Sequence, residues 1–384
     1  MGARRGQGEG SIYQRESDGL WCTAVHLGYL DGKRRRKVIY GKTRREVAEK
    51  LKVVLREQQQ GLPVALERQT VAQFLHRWLE DVVGPSVRPR TSESYAQLVR
   101  LHLVPTLGRH QLNKLEPQHV QAMMNRKLES GLSPRTVQYI RAVLRRALGQ
   151  ALKWGLVARN VATLVDPPRS RRQPIRPLTP VQGRMLLEAA RGDRLEALYR
   201  VALSLGLRIG EALGLRWDDV DLERGVLRIS SALQRVGGKL QLVEPKSTQS
   251  RRTLALPVAL IAALKIHRVR QLQERLASGD RWQDSGHIFT TTIGTPLEPR
   301  NATRAFKAML VAAGLPDIRF HDLRHSCASL LVAQGIHPRV VMETLGHSQI
   351  SLTMNTYAHV FADAQREAAA TMDCLFPAAT SDIG

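Results

Sequence analysis

The sequence FHDLRHSCASLLVAQGIHPRVVMETLGHSQISLTMNTYAHV, residues 320–360, places four polar side chains among apolar residues at helical spacing. His321 and Arg324 are three residues apart, so on a helix they project from one face. His347 follows a glycine break, and Tyr357 lies ten residues later in a segment that is also predicted to be a packed helix. A cation, two imidazoles and a phenol that met at one site could handle a phosphate group.

The charge of the chain indicates what it binds. Its 384 residues are enough for two or three domains, and 43% of them are hydrophobic, as in ordinary globular proteins. The chain has 58 Lys and Arg but 34 Asp and Glu, which gives a net charge of +24. Such a surplus favours a polyanionic partner, nucleic acid before anionic membrane. No apolar run reaches the length of a membrane span, and the N-terminus lacks the apolar core of a signal peptide, so we expect no membrane partner.

The three cysteines, Cys22, Cys327 and Cys374, are far apart and form no CxxC pair. Their spacing argues against a disulfide framework and a zinc ribbon, and for a reducing compartment. We therefore predict a cytoplasmic nucleic-acid-binding protein.

Residues 1–62 predict a small three-stranded sheet followed by one helix. Three β-type runs are separated by turn signals, the second of which, Asp31-Gly32, is a strong hairpin cue. A capping box from Thr43 to Glu46 opens a helix to about residue 60. The second turn is strongly basic, with Lys33, Arg34, Arg35 and Arg36. A solvated turn is the ordinary interpretation of such a run, but on so basic a chain a sheet laid into a DNA groove is favoured.

Residues 68–166 predict a four-helix domain with a basic outer face. The second helix is expected to bury Tyr95, Leu98, Val99 and Leu101. The fourth helix begins after Ser133, and its outward residues include Arg135, Arg141 and Arg145. A merely soluble helical bundle would not explain the sign of this charge, so DNA binding is predicted here too.

Residues 175–384 follow a Pro/Arg-rich linker and predict a mixed α+β domain. Arg208 and Glu211 are expected to share a helix face, where the carboxylate can orient the guanidinium. A surface ion pair is the ordinary interpretation, but a charge among the flanking leucines is costly, which favours a functional role for the pair. A hairpin at Gly237-Gly238 is predicted between strands 226–230 and 240–243. Lys246 follows in a loop beside the sheet edge, where most lysines are simply solvated.

Three interpretations compete for His321 to His325. The i,i+4 histidines match a helical zinc pair, but the glutamate of HExxH is absent and Arg324 would repel a metal. The residues could also be satisfied polar groups at a helix start, with Asp322 near the cap. The third interpretation is phosphoryl transfer without a metal.

Five motifs in order carry a resemblance to a known family. They are LGLRIGE around Arg208, PKSTQSRR around Lys246, HDLRH, LGHS and NTYAHV. In this order, downstream of a basic clamp, they resemble the tyrosine recombinase (phage-type integrase) family over nearly the whole chain. The N-terminal sheet and helix are similar to the arm-site-binding domain of some integrases, and the four-helix region is similar to their core-binding domain. The Pro-Lys-Ser context of Lys246 departs from the Thr-Lys-Thr loop of many relatives.

The resemblance implies a metal-free reaction with no cofactor. Tyr357 would attack a scissile DNA phosphate and form a covalent 3′-phosphotyrosine. Arg208 and Arg324 would clamp the two non-bridging oxygens, where charge builds in the transition state. Glu211 would orient Arg208.

Three further roles are implied for the proton-transfer and hydrogen-bonding groups. Lys246 would protonate the departing 5′ oxygen, His321 would exchange a proton with the tyrosine, and His347 would donate a hydrogen bond to the phosphate. The sequence leaves open whether Tyr357 attacks in its own site or a neighbour's; we expect its own.

The expected partner is double-stranded DNA at the core and arm att sites of a phage or mobile element. The family also implies a homotetramer on DNA, with an accessory DNA-bending or directionality protein, in the bacterial cytoplasm at the nucleoid. Two alternatives stay open: a chromosome-dimer or inversion recombinase of the same chemistry, and a DNA-binding regulator without catalysis.

Overall fold

The computed structural model describes residues 11–30, 33–59, 69–170, 176–244, 251–346 and 372–376. Within these ranges only the backbone is described at 27–30, 33–35 and 56–59. The chain divides into two compact units, Met1–Arg172 and Gln173–Gly384.

The first unit begins with the predicted sheet and helix. Strands β1 (Tyr13–Gln14), β2 (Trp21–Leu30) and β3 (Lys33–Gly41) form an antiparallel sheet in chain order, followed by helix α1 (Arg44–Gln59). Alternate apolar residues of the sheet pack on one stripe of α1, and this small core contains Val25, Ile39, Val47, Leu51 and Val54. The predicted capping box is half formed. The amide of Glu46 donates to the hydroxyl of Thr43 at 3.2 Å, but the Glu46 carboxylate accepts from the amide of Lys42 instead of Thr43.

The basic run lies on β3, so its prediction as part of a turn is wrong. Lys33 already pairs with Leu30, and Arg36 pairs with His26. β3 begins at Lys33, three positions after Leu30, the last residue of β2. The basic residues therefore belong to an extended strand rather than to a loop.

Four long helices follow, as predicted. The first is α2 (Val71–Trp78), continued through a π-helical turn (Leu79–Val83) into α3 (Gly84–Ser86). The second is α4 (Pro89–Leu98), continued through a π-helical turn (Val99–Leu103) into α5 (Val104–Leu107); the others are α6 (Pro117–Glu129) and α7 (Pro134–Lys153). Their shared core is built around Phe74, Trp78, Met123 and Ile140, all essentially inaccessible to water.

The π-helical turns correct one predicted core position. Each ends two positions before a proline, Pro85 or Pro105, which supplies no N–H and crowds the carbonyl four residues earlier. The wider turn shifts the phase of the residues within it, among them Leu101. Leu98 and Leu103 are buried, but Leu101 is 47% exposed and lies outside the core.

The second unit combines helices with small antiparallel sheets. Its helices are α8 (Pro180–Ala189), α9 (Glu196–Leu205), α10 (Ile209–Leu213), α11 (Val258–Ser278), α12 (Pro299–Ala312), α13 (Asp322–Ala333) and α14 (Pro338–Leu345). Its strands are β4 (Val220–Asp221), β5 (Val226–Ile229), β6 (Ala232–Val236), β7 (Lys239–Val243) and β8 (Arg252–Ala255). With the first unit this gives the predicted class, a mainly helical chain with an N-terminal sheet and a mixed C-terminal part.

The hairpin at Gly237-Gly238 joins β6 to β7, so the prediction that it joins the strand at 226–230 is wrong. Both glycines have positive φ, 57° and 75°, as the tightest hairpin turns require. β5 pairs instead with β4 and β8. This pairing puts Arg252, the first residue of β8, opposite Ile229 in the sheet.

The core of the second unit surrounds α9, whose residues Leu198, Val201, Ala202 and Leu205 are buried. α9 ends at Leu205 and is capped by Gly206, whose φ is 60°, and α10 begins three residues after the glycine. Gly206 thus turns the chain two residues before Arg208, the first predicted site residue. Among the described residues, none of the helices has the length and apolar character needed to span a bilayer.

Candidate active site

Arg208 and Glu211 form the predicted ion pair in a slightly different local structure. Arg208 is the residue that precedes α10, with extended backbone (φ −65°, ψ 146°), rather than a member of the helix. Its Nη1 donates to Glu211 Oε1 at 2.6 Å, and its backbone amide donates to Glu211 Oε2 at 3.2 Å. The Arg208 side chain is 40% exposed, whereas that of Glu211 is 4% exposed. A buried carboxylate therefore holds a guanidinium that still faces solvent.

A second cation, Arg252, shares the Glu211 carboxylate. Its Nη2 donates to Glu211 Oε2 at 3.3 Å and its Nε donates to the carbonyl of Thr344 at 2.7 Å. Burial alone would raise the pKa of Glu211, but Arg252 and Arg208 together hold it below its usual value. Burial lowers the pKa of Arg252, and the Glu211 charge opposes this effect. Glu211 is thus an ionised carboxylate at neutral pH.

Arg324 lies on the first turn of α13 and is 2% exposed. Its Nη1 donates to the carbonyl of Gly206 at 2.9 Å. This bond joins residues 118 positions apart in the chain and holds the second predicted clamp arginine beside the turn that leads to Arg208. The structure therefore brings the two predicted clamp arginines to one place.

His321 precedes α13 and joins the same group. Desolvation lowers the pKa of His321 to about 4, and the neighbouring His325 adds to the effect. The positive charges of Arg324 and Arg208 lower the pKa in the same direction. At neutral pH His321 is a neutral imidazole that can accept a proton.

The two histidines of the HDLRH motif do not form a metal site in the described part of the chain. Their rings are 5.3 Å apart between centroids, with planes at 89°. Asp322, the acidic residue between them, is held by the backbone amide and guanidinium of Arg319. No group of three or more potential ligands that could hold a metal is found among the described residues.

Cys327 also lies near the site, next to Gly206 beneath the chain turn. Its Sγ donates to the carbonyl of Ser204 at 3.5 Å. Burial raises the pKa of the thiol to about 12, so Cys327 is protonated at neutral pH and is no nucleophile.

Three predicted site residues, Lys246, His347 and Tyr357, lie outside the described residues. In the chain, Lys246 precedes β8 by six positions and His347 directly follows Gly346, the residue that caps α14. The predicted site is thus described at Arg208, Glu211, His321 and Arg324.

The predicted DNA-binding residues differ in exposure. The side chains of Lys33, Arg34 and Arg35 lie outside the described part, and Arg36 is exposed on β3. On α7, Arg135 and Arg145 are exposed, but Arg141 is partly buried and desolvation lowers its pKa. Arg141 is therefore less accessible to a DNA phosphate than its two neighbours.

Sequence reasoning assigned no role to Arg252. The signal that could have found it is a charged residue at the start of a short apolar strand (RTLA), since a cation buried there needs a partner.

The chain is similar to known proteins of one family. Residues 177–363 match the phage integrase family, and residues 70–128 match the phage integrase N-terminal SAM-like domain. An integrase of Streptomyces ambofaciens is 34% identical, covering 98% of this chain and 98% of that protein. A "tyrosine recombinase XerC-like" protein of Caldanaerobacter subterraneus subsp. tengcongensis is 32% identical, covering 90% of this chain and 93% of that protein.

Among solved structures, the Tn1549 transposon integrase has the same fold. The two structures superpose with a TM-score of 0.68 at 24% sequence identity, and the matched region covers 79% of this chain and 99% of that one. The chain belongs to the phage integrase family. It is a tyrosine site-specific recombinase of the kind that mobile elements use.

Proposed function

We propose that this recombinase cleaves and rejoins double-stranded DNA through a 3′-phosphotyrosine on Tyr357. The observation that carries the proposal is the half-exposed guanidinium of Arg208, held by the buried Glu211 beside Arg324 and His321. Such a group can bind an incoming phosphate without rearranging, because its orientation is already fixed by the protein. The oxygen of Tyr357 attacks the phosphorus, the bond to the 5′ oxygen breaks, and the phosphodiester energy is kept for religation.

Arg208 and Arg324 act on the charge that develops on the non-bridging oxygens. A guanidinium offers paired N–H donors that match two oxygens of one phosphate. Arg208 is supported by Glu211, and Arg324 by the carbonyl of Gly206. Each arginine thus has one side fixed by the protein, which lowers the entropy lost when DNA binds.

His321 accepts the proton of Tyr357 as the phenol attacks, and returns it when the strand is rejoined. Its lowered pKa keeps the imidazole unprotonated at neutral pH, as a proton acceptor must be, and the negative charge of a bound phosphate raises its basicity. Lys246 protonates the leaving 5′ oxygen, and His347 donates a hydrogen bond to the phosphate; both roles follow from the family resemblance.

The partner of the reaction is DNA carrying the attachment sites of a mobile element. Net charge of +24 supports binding to a polyanion, and the similar Tn1549 integrase was solved in complex with circular intermediate DNA. We further propose that residues 1–62 bind arm sites, that residues 68–166 and 175–384 bind the core site, and that four protomers assemble on DNA. An accessory bending or directionality protein completes the assembly, which acts at the nucleoid in the bacterial cytoplasm.

The experiment scores covalent protein–DNA adducts on denaturing gels, with a duplex carrying the attachment site found beside the gene. Arg208→Ala and Arg324→Ala are expected to bind the duplex but to form adduct more slowly by a factor on the order of 10² to 10³. Arg191→Ala, which removes an exposed arginine paired with Glu188, is the matched control and should react at the normal rate. Normal rates in both clamp variants would refute the proposal, and DNA binding without any adduct in the natural protein would favour a non-catalytic regulator.

A further inference from the structure

Arg252 joins three elements that carry the site. It starts β8, its side chain is 8% exposed, and its guanidinium reaches in two directions. One direction leads to Glu211 on α10, at 3.3 Å, and the other to the carbonyl of Thr344 near the end of α14, at 2.7 Å. A guanidinium buried to this extent is costly unless it makes such bonds, which indicates a specific role for the residue.

The Glu211 carboxylate is the point at which Arg252 can affect Arg208. Oε1 accepts from the Arg208 side chain, while Oε2 accepts from the Arg208 amide and from Arg252. A carboxylate rotates about its terminal bond, and the two-fold profile of that rotation is broad. Bonds to both oxygens fix the plane of the group, so Arg252 helps to decide where Oε1, and with it the Arg208 guanidinium, lies.

A second contact strengthens the link to α14. Leu345, next to Thr344, packs so closely on Gly206 that a Cβ at Gly206 would lie 2.4 Å from its Cδ2. The end of α14 therefore touches the turn before Arg208 through Leu345, and reaches Glu211 through Arg252.

We propose that Arg252 is a positioning residue, which fixes the Arg208 guanidinium through Glu211 and ties it to the end of α14. The inference rests on the proposed role of Arg208 as a clamp of the scissile phosphate. Arg252 itself is buried and acts through the carboxylate, without touching DNA.

The test compares two substrates in single-turnover cleavage. One duplex has an ordinary scissile phosphate; in the other a methylphosphonate replaces it, so one non-bridging oxygen becomes a methyl group and the negative charge is lost. Replacing a residue that stabilises negative charge on the phosphate should slow cleavage of the neutral duplex less than cleavage of the charged duplex. We expect Arg252→Gln to slow cleavage of the phosphate duplex about tenfold or more, relative to the natural protein, and to slow cleavage of the methylphosphonate duplex by less than about twofold.

Two reference variants make the result interpretable. Arg251→Gln changes the adjacent arginine, which is 56% exposed and pairs with Glu244, and should react normally on both duplexes. Arg208→Ala should show the same substrate selectivity as Arg252→Gln, with a larger loss. If thermal melting shows Arg252→Gln unfolded at the assay temperature, Arg252→Lys is used with the same criteria, because it keeps the buried charge but lacks the fork that bridges two partners.

The outcomes separate the two claims. A loss in Arg208→Ala that is equal on both duplexes refutes the clamp role of Arg208, and the inference with it. The other outcome concerns Arg252 alone. If Arg208→Ala slows cleavage of the phosphate duplex more than that of the methylphosphonate duplex, while the Arg252 variant slows both equally or neither, the positioning role of Arg252 is refuted and the clamp role of Arg208 stands.

Discussion

Gly206 offers a sharp test of how the site is packed, because two separate constraints meet at this residue. Its φ of 60° is left-handed, and an added Cβ would lie 2.4 Å from Leu345 Cδ2 and 3.3 Å from Cys327 Sγ. Leu345 is fully buried, and close-packed protein interiors offer little space to a displaced side chain. The carbonyl of Gly206 also holds Arg324. We therefore expect Gly206→Ala to lower both stability and cleavage.

The magnitude follows from the two constraints taken separately. A left-handed conformation costs an alanine roughly 1–2 kcal/mol relative to glycine. Overpacking a filled core costs roughly 1–3 kcal/mol more. Gly206→Ala should therefore lower the free energy of unfolding by about 2–5 kcal/mol.

Gly314→Ala is the matched control. Gly314 has nearly the same φ, 63°, follows a helix in the same compact unit, and has nothing within 4 Å of the added Cβ. Only the left-handed cost of about 1–2 kcal/mol should remain. The difference between the two variants measures the contact between Gly206 and the end of α14.

The assay is thermal unfolding of the full chain. At about 2–4 °C per kcal/mol for a unit of this size, Gly206→Ala should lower the melting temperature by roughly 4–20 °C and Gly314→Ala by roughly 2–8 °C. Adduct formation should fall in Gly206→Ala and stay normal in Gly314→Ala. Equal shifts in the two variants, with normal cleavage in both, would refute the described packing of Leu345 on Gly206.

Two further predictions concern pH and salt. Desolvation lowers the pKa of the buried His267 and His287 below the ordinary 6.5, so the unfolded chain binds protons that the folded chain does not. Stability contributed by these neutral histidines is complete above about pH 6.5 and declines as the pH is lowered towards their folded pKa values; a melting temperature that does not fall between about pH 7 and 5 would contradict this. Replacing Arg135 or Arg145 by Gln should each reduce the slope of log affinity against log salt by about 0.9, as measured by fluorescence anisotropy with duplex DNA. The partly buried Arg141, replaced in the same way, should change the slope less, and equal changes at all three positions would contradict the assignment of the α7 face.

Local signals predicted the starts of α1 and α7. The amide of Glu46 donates to the hydroxyl of Thr43 before α1, and Ser133 accepts from the amide of Thr136 at the start of α7. These features depend on residues within one turn of each other, so the sequence contains all the information that they require. The pairing of Arg208 with Glu211 was predictable for the same reason.

Features that depend on tertiary contacts were not predictable in this way. The bond from Arg324 to Gly206 and the double contact of Arg252 connect segments that are distant in the chain, and no local pattern encodes them. The sequence therefore indicated which residues could form the site, while the folded unit determines how they are held.

Tyr357 is expected to become covalently linked to DNA during cleavage. The most direct measurement incubates the protein with duplex carrying the attachment site, isolates the adduct on a denaturing gel, and identifies the modified peptide by mass spectrometry. We expect the phosphodeoxynucleotide on Tyr357, which is joined to the phosphate at the 3′ end of the cleaved strand. Tyr357→Phe should give no adduct, because it keeps the aromatic ring but lacks the attacking oxygen. A normal amount of adduct from Tyr357→Phe, or a modified peptide from another part of the chain, would contradict the account.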